Sequence, residues 1–346
     1  MTRGDFIRGS LAMTAMGPSC FAGEAGDTPE LAAAKAWFRG AGFGLMAHFG
    51  LYSLAAGEWR DERCGLYAEW MQWKARVPVA EWSKLAGAFN PVFFNPREWM
   101  LRARDAGAKY FTVTAKHHEG FAMFRSRVSK YNVVDATPFG RDVIGEIAEA
   151  CRETGVRLGL YYSQAVDWSD PDGAGYGTKL HGHVWANDWD WPDAAKKDYA
   201  RCYENKIRPQ VEELLTQYGD LALIWFDTPI GMTAEQSRGL RDLVRKRQPG
   251  CLVSSRIGNG LGDYESSGDN EEPPENLNGQ LFEMVGSLNR SFGYKPFDPE
   301  VKPAEEIRRL RDKCRGAGAN YLLNFGPDHL GRMGASMKDT LSSLVL

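Results

Sequence analysis

Polar side chains able to do acid–base or hydrogen-bonding chemistry recur where apolar runs stop. His48 follows Phe43-Gly-Leu-Met-Ala, and the pair His117-His118 closes Tyr110-Phe-Thr-Val-Thr-Ala-Lys116. Tyr161 lies in Arg157-Leu-Gly-Leu-Tyr-Tyr-Ser163, Asp227 ends Leu221-Ala-Leu-Ile-Trp-Phe, and Arg256 ends Cys251-Leu-Val-Ser-Ser. The run before Asp227 is too short for a helix and reads as a strand buried on both faces. At the C-terminal tip of a parallel barrel strand, a carboxylate faces the mouth where catalysis occurs. A lone Asp before Thr-Pro more often just turns the chain, but polar residues at several tips converge on one mouth if the barrel closes.

Paired carboxylates suit this arrangement. Glycoside hydrolysis needs one carboxylate to attack, or to activate water, and one acid to protonate the leaving oxygen. Asp227 is the first candidate; the acidic stretch from Asp263 to Glu275 and the later Glu283 supply candidates for the second. Histidines and Arg256 would hydrogen-bond sugar hydroxyls, and aromatic faces would hold the apolar side of a ring. The 11 Trp and 13 Tyr are in keeping with that use. Metal chemistry fits less well, because adjacent residues on an extended chain point to opposite sides and His117 and His118 could not share an ion without a turn. There is no His-Glu-x-x-His, and His181-Gly-His183 falls in a presumed loop. A serine nucleophile lacks its Gly-x-Ser-x-Gly elbow. The expectation is carboxylate chemistry with no metal and no cofactor.

The elements that must position these groups alternate in type. Helical patterns are expected after Thr28-Pro29, at Glu81–Leu85, Pro96–Asp105, Asp142–Thr154, Tyr199–Tyr218, Glu235–Arg247 and Ala304–Arg315, with a closing helix near the end. Strands are expected at Phe43–Phe49, Tyr110–Ala115, Arg157–Ser163, Leu221–Asp227, Cys251–Arg256, Gln280–Val285 and Asn320–Asn324, with long loops at Asp167–Asp198 and Gly258–Asn278. This alternation predicts an α/β fold, a (β/α)8-like TIM barrel. A doubly wound sheet is the alternative, although no glycine-rich phosphate loop follows the first strand. A formal net charge of -3 and pI near 6.1 argue against a nucleic-acid or anionic-membrane surface, and no run is long enough to span a membrane.

Residues 1–26 read as an export signal or a disordered N-terminus, with residues 27–346 as the catalytic barrel domain. Thr2-Arg-Gly-Asp-Phe-Ile-Arg8 resembles a twin-arginine signal in which Gly4 replaces the second arginine, and Ser10–Met16 is moderately apolar. The expectation is a periplasmic or secreted protein, with a cytoplasmic one as the alternative. The six cysteines are scattered without a Cys-x-x-Cys pair, which speaks against a zinc site or a disulfide-dense fold.

Longer motifs bring a resemblance into view. Trp37-Phe-x-x-Ala-Gly-Phe-Gly-Leu-Met-Ala-His48-Phe-Gly, Tyr67-Ala-Glu69-Trp70-Met71, Ala115-Lys-His117-His118-Glu-Gly-Phe121, Gly159-Leu-Tyr161-Tyr-Ser with Asp167-Trp168, and Trp225-Phe-Asp227 are similar to those of retaining α-L-fucosidases. Ser255-Arg256-Ile-Gly-Asn, Gly262-Asp-Tyr264, Ser291-Phe292-Gly-Tyr294 and Tyr321-Leu-Leu-Asn324-Phe-Gly-Pro327 agree. The resemblance implies Asp227 as nucleophile, with His48, Glu69, Trp70, His117, His118, Tyr161 and Arg256 around a terminal fucose. It also implies that Trp70 and Phe292 meet the C5 methyl or ring face. For the acid/base, Phe282-Glu283 stands where relatives carry Trp-Glu, and Gly268-Asp-Asn-Glu271 offers Glu271 as rival, with Asp269 and Glu272 behind it. Glu283 is preferred over Glu271. Relatives commonly add a C-terminal β-sandwich that this chain does not show. The expected function is exo-acting hydrolysis of terminal α-L-fucose from glycans or glycoconjugates by double displacement. The alternatives are an α-L-galactosidase of the same fold and a non-catalytic fucose-binding protein.

Overall fold

The computed structural model of the chain describes residues 26–345 apart from 66, 181 and 299. The expected export signal, including Cys20, therefore lies outside the described residues but for Gly26. Strands β1 (Phe43–Ala47), β2 (Tyr110–Lys116), β3 (Arg157–Ser163), β4 (Leu221–Asp227), β5 (Leu252–Val253), β6 (Glu265–Ser266), β7 (Phe282–Ser287) and β8 (Asn320–Phe325) form one sheet, parallel throughout. Its order, β6-β7-β8-β1-β2-β3-β4-β5, is chain order with the starting point moved. A parallel bridge between Ser254 and Tyr264 joins the two ends, with Ser255 N–H donating to Tyr264 O (2.9 Å) and Asp263 N–H to Val253 O (2.7 Å). A doubly wound sheet reverses its order at a switch point, and this one does not, so the fold is the (β/α)8 type.

Helix α1 (Pro29–Ala41) precedes β1, and α2 (Pro96–Asp105), α3 (Val143–Thr154), α4 (Arg208–Gln217), α5 (Ala234–Arg247), α6 (Ala304–Ala317) and α7 (Ala335–Leu344) surround the sheet. The strand count changes. The eighth strand is Glu265–Ser266, hidden inside the expected Gly258–Asn278 loop because two polar residues leave no apolar run to read. The connections leaving β5 and β6 hold no α-helix among the described residues, so the barrel is irregular on the side where Arg256 and Asp269 emerge.

Period-two alternation sorts each buried strand into an outward and an inward face. On β4, Ile224 and Phe226 join the outer core between sheet and helices, whereas Leu223 and Trp225 join the inner core and share its face with Asp227. On β7, Met284 faces out and Val285 in, which places Glu283 on the inward face. Helix α1 plugs the N-terminal end of the barrel. Thr28 Oγ1 caps it by accepting from Leu31 N–H (3.3 Å), the Phe38 ring lies 4.6 Å from that of Tyr264, and Asn320 Nδ2 donates to Phe38 O (2.9 Å). With that end sealed, ligand access is confined to the C-terminal mouth.

Candidate active site

Asp227 sits at the mouth, 8% exposed. Tyr161, on the neighbouring strand β3, donates its phenolic O–H to Asp227 Oδ2 at 2.7 Å, and Arg256 donates from one guanidinium nitrogen to Oδ1 at 3.2 Å. His118 Nε2 stands 3.9 Å from Oδ2. Burial pushes the Asp227 pKa up, but Arg256, His118 and the Tyr161 hydrogen bond together outweigh it and hold the carboxyl below its ordinary value. The carboxylate is thus ionised and pinned on both oxygens.

The partners of the histidines define their tautomers. Ser163 Oγ donates to Val166 O (2.6 Å), so at 2.7 Å from His118 Nδ1 it must accept, which puts that proton on Nδ1. Asn324 Nδ2 donates to Phe292 O (2.8 Å), so Asn324 Oδ1 accepts from His48 Nδ1 (2.7 Å). Burial lowers both imidazole pKa values to about 4. At neutral pH each ring is neutral and keeps its Nε2 lone pair for a hydroxyl donor. His117 was expected to point away from His118, yet the rings lie 4.1 Å apart. The β2–β3 register shifts between Thr114 and Lys116, and the chain turns just beyond; such an irregularity re-aims side chains. The turn needs Gly120 at φ +76, where a Cβ would collide with Asp167 and Ser169.

Glu69 is buried beside the histidines and accepts from Gly293 N–H at 2.7 Å, an approach that a Cβ at Gly293 would obstruct. Burial raises its pKa to about 7. One ligand atom each from His48, Glu69 and His117 lies within 4.8 Å of the others, a set able to hold an ion or neighbouring hydroxyls of one sugar. Aromatic walls flank it: Trp70 is edge-on to His118 (5.1 Å) and backed by Trp168 and Trp185, while Phe292 lies 5.1 Å from His48. His48, Glu69, Trp70, His117, His118, Tyr161, Arg256, Phe292 and Asp227 are therefore linked by contact into one pocket.

Neither preferred acid/base joins them. Glu283 stands at the bottom of β7, four residues before Ser287 and so roughly 13 Å below the tip at the usual strand rise; it is 0% exposed. Glu271 is exposed and folds back over Gly268, and Glu272 pairs with Arg309 and Lys313 on α6. The carboxylate that does arrive is Asp269. It accepts from the second guanidinium nitrogen of Arg256 at 2.8 Å, and its charge, behind burial, helps push the Tyr67 phenol up. The expectation of Glu271 ahead of Asp269 fails because the loop has no periodicity to show which acid points inward.

A (β/α)8 barrel whose mouth holds an ionised carboxylate, a second carboxylate on the same arginine and neutral histidines between aromatic walls defines a glycoside hydrolase site. The α-L-fucosidase family model matches residues 24–345, and the chain belongs to that family. Solved structures agree. The α-L-fucosidase AlfC of Lactobacillus casei is 45% identical with a TM-score of 0.86, over 90% of this chain and 97% of that one. It has been solved with α-L-fucose, and a variant with Fucα(1,6)GlcNAc. The enzyme of Vibrio sp. strain EJY3 is 32% identical (TM-score 0.85), over 92% of this chain and 55% of that one. Human tissue α-L-fucosidase is 30% identical over 84% of this chain and 62% of its own length. For the Dictyostelium discoideum enzyme the identity is 24% and the shares are 88% and 68%. The chain spans about two thirds of the length of these curated relatives. Among the described residues no helix is long and apolar enough to cross a membrane, and Cys151, Cys202, Cys251 and Cys314 are buried thiols outside any disulfide.

Proposed function

We propose that this chain hydrolyses terminal α-L-fucosides by double displacement, with Asp227 as nucleophile and Asp269 as acid/base. The observation that carries this reading is Arg256, which hydrogen-bonds both carboxylates at once. Holding both within one hydrogen bond of a single planar group keeps them close, in keeping with the ~5–5.5 Å of a retaining pair rather than the ~6.5–9.5 Å of an inverting one.

In the first step an Asp227 oxygen attacks the anomeric carbon as the glycosidic C–O bond breaks, and Asp269 gives its proton to the departing oxygen. Once Asp227 is esterified its negative charge is gone, and Arg256 still holds Asp269 in place through its other nitrogen. In the second step Asp269 takes a proton from water, the water oxygen bonds to the anomeric carbon, and Asp227 is released with L-fucose. His48 and His118 accept sugar hydroxyl protons at Nε2, and Glu69 and His117 complete the polar side.

The aromatic Trp70 and Phe292 walls suit the C5 methyl of fucose better than the hydroxymethyl of an L-galactoside. The AlfC complexes with a 4-nitrophenyl and a GlcNAc α-L-fucoside support a fucosylated oligosaccharide or glycoconjugate as substrate. Purified protein should cleave 4-nitrophenyl α-L-fucoside, with α-fucose as the first anomer seen by proton NMR and a slower reaction on the α-L-galactoside. β-Fucose first would replace double displacement by inversion. Binding of fucose without turnover would leave a non-catalytic lectin-like role. Residues 1–26 are proposed to direct export, which fractionation of the native host would test by finding the protein outside the cytoplasm.

A further inference from the structure

We propose that Glu283, sealed inside the barrel, is a positioning residue that sets the geometry and charge of Asp227 through Trp225; the inference rests on the fucosidase reading above. Its two oxygens are engaged separately, one accepting from Tyr110 O–H at 2.6 Å and the other from Trp225 Nε1–H at 2.8 Å. Tyr110 is itself held, because its ring fills the space over Gly44 that any other residue's Cβ would need. Glu283 thus ties the indole to a fixed point deep in the barrel.

That indole carries the groups that act on Asp227. The Arg256 guanidinium lies 4.6 Å from the Trp225 ring centroid, and the Tyr161 ring stacks on Trp225 at 5.6 Å and 20°. Among the described residues, Arg256 and Tyr161 make the hydrogen bonds that Asp227 receives from side chains, and Arg256 also holds Asp269. A ring fixed by stacking alone can slide or rotate in its own plane. A short N–H bond at one edge stops that motion, and losing the acceptor would leave a buried indole donor unpaired. An apolar side chain at 283 could fill the volume but not fix the ring.

The geometry also says which substitution should be tolerated. In Glu283→Gln the amide oxygen can keep the Trp225 bond while the amide N–H donates to a rotated Tyr110 hydroxyl, so the indole stays in place. Glu283→Leu keeps packing and loses both bonds. A residue acting as acid/base would behave differently, since Gln can no more transfer the proton than Leu can.

The test uses the full chain, with kcat and KM for 4-nitrophenyl α-L-fucoside measured across pH for wild type, Glu283→Gln, Glu283→Leu, Trp225→Phe and the Leu/Phe double variant. Glu283→Gln should stay within about threefold of wild type in kcat. Glu283→Leu should lose roughly 10- to 100-fold in kcat, about what leaving two buried hydrogen-bond donors unpaired costs, with KM nearly unchanged. Its acidic limb should move to higher pH as Asp227 loses its partners, and azide should not restore it. The double variant should be no worse than the poorer single one, the signature of residues acting as a unit. The Asp227 carboxyl, titrated by carbon-13 NMR in the absence of substrate, should have a higher pKa in Glu283→Leu than in wild type, which reads the proposal even if no fucoside is turned over. Wild type inactive on every α-L-fucoside would sink the fucosidase reading alone. An unchanged Asp227 titration, a Gln variant as inactive as Leu, or azide rescue would overturn the positioning role.

Discussion

Arg256 donates one guanidinium nitrogen to Asp227 at 3.2 Å and the other to Asp269 at 2.8 Å, and so couples a strand tip to a loop that leaves the barrel two strands later. Both acids answer to one cation. In the proposed double displacement, when the charge on one disappears the cation is left to the other, so a single arginine would serve ester formation and ester hydrolysis in turn.

If Asp227 is the nucleophile, Asp227→Asn should lower kcat on 4-nitrophenyl α-L-fucoside on the order of 10³-fold or more, since an amide cannot form the glycosyl ester. Calorimetric binding of L-fucose should stay within about tenfold. Near-normal turnover would remove Asp227 from that role.

Asp269→Ala should show the mark of a missing acid. Its kcat should drop far more on a GlcNAc fucoside than on the activated nitrophenyl substrate, and azide should restore turnover of the latter as fucosyl azide. Glu271→Ala, altering a solvent-facing side chain, should retain wild-type rates within about twofold on both. If the two variants exchanged phenotypes, the acid/base would be Glu271.

Acidification should pull on stability from two directions. His48 and His118, lowered to about 4 by burial, contribute stability that is present above the ordinary imidazole value of 6.5 and lost as pH falls through about 4. Glu119, raised to about 8 by burial, contributes stability that is present below the ordinary 4.5 and lost as pH rises through about 8. Glu119→Gln removes the opposing group, so between about pH 8 and 5 its unfolding free energy should fall more steeply on acidification than that of wild type, by at most about 1.4 kcal/mol per pH unit. Urea melts at each pH would check the slope; equal slopes would mean that Glu119 does not hold its proton in the fold.

A buried ion triad braces the His117-His118 turn from behind. Asp167 lies 2.8 Å from both Lys116 Nζ and Lys206 Nζ, with the Lys116 and Asp167 side chains fully buried. Backbone hydrogen bonding ties Trp168 N–H to His118 O at 2.7 Å. Asp167→Asn would strand two buried ammonium groups and should cost about 3–5 kcal/mol of stability, read by urea denaturation. A loss below about 1 kcal/mol would show that water reaches the pair.

Legibility in the sequence followed periodicity. Long apolar strands such as Leu221–Phe226 and Tyr110–Ala115 announce themselves by composition, and the polar residue that ends each one is visible for the same reason. Glu69, Trp70 and Phe292 had no such signal and entered by resemblance alone; the structure joins them to the strand tips through Gly293 N–H, His118 and His48. The two-residue β6 and the approach of Asp269 had none either, because irregular backbone carries no repeat from which a direction can be read.

The sequence by itself determined the alternation of strands and helices, the nucleophile candidate Asp227 and the histidines around it. Only the tertiary structure decided which acid faces Asp227. Glu283 and Asp227 are both carboxylates on inward strand faces, but one stands at the bottom of its strand and the other at the tip, and depth in a barrel separates a buried anchor from a group that can meet substrate. Asp269 reaches the mouth because barrel closure at Ser254–Tyr264 brings its loop back over Arg256. That closure is a contact between strands, a property no single stretch of chain contains.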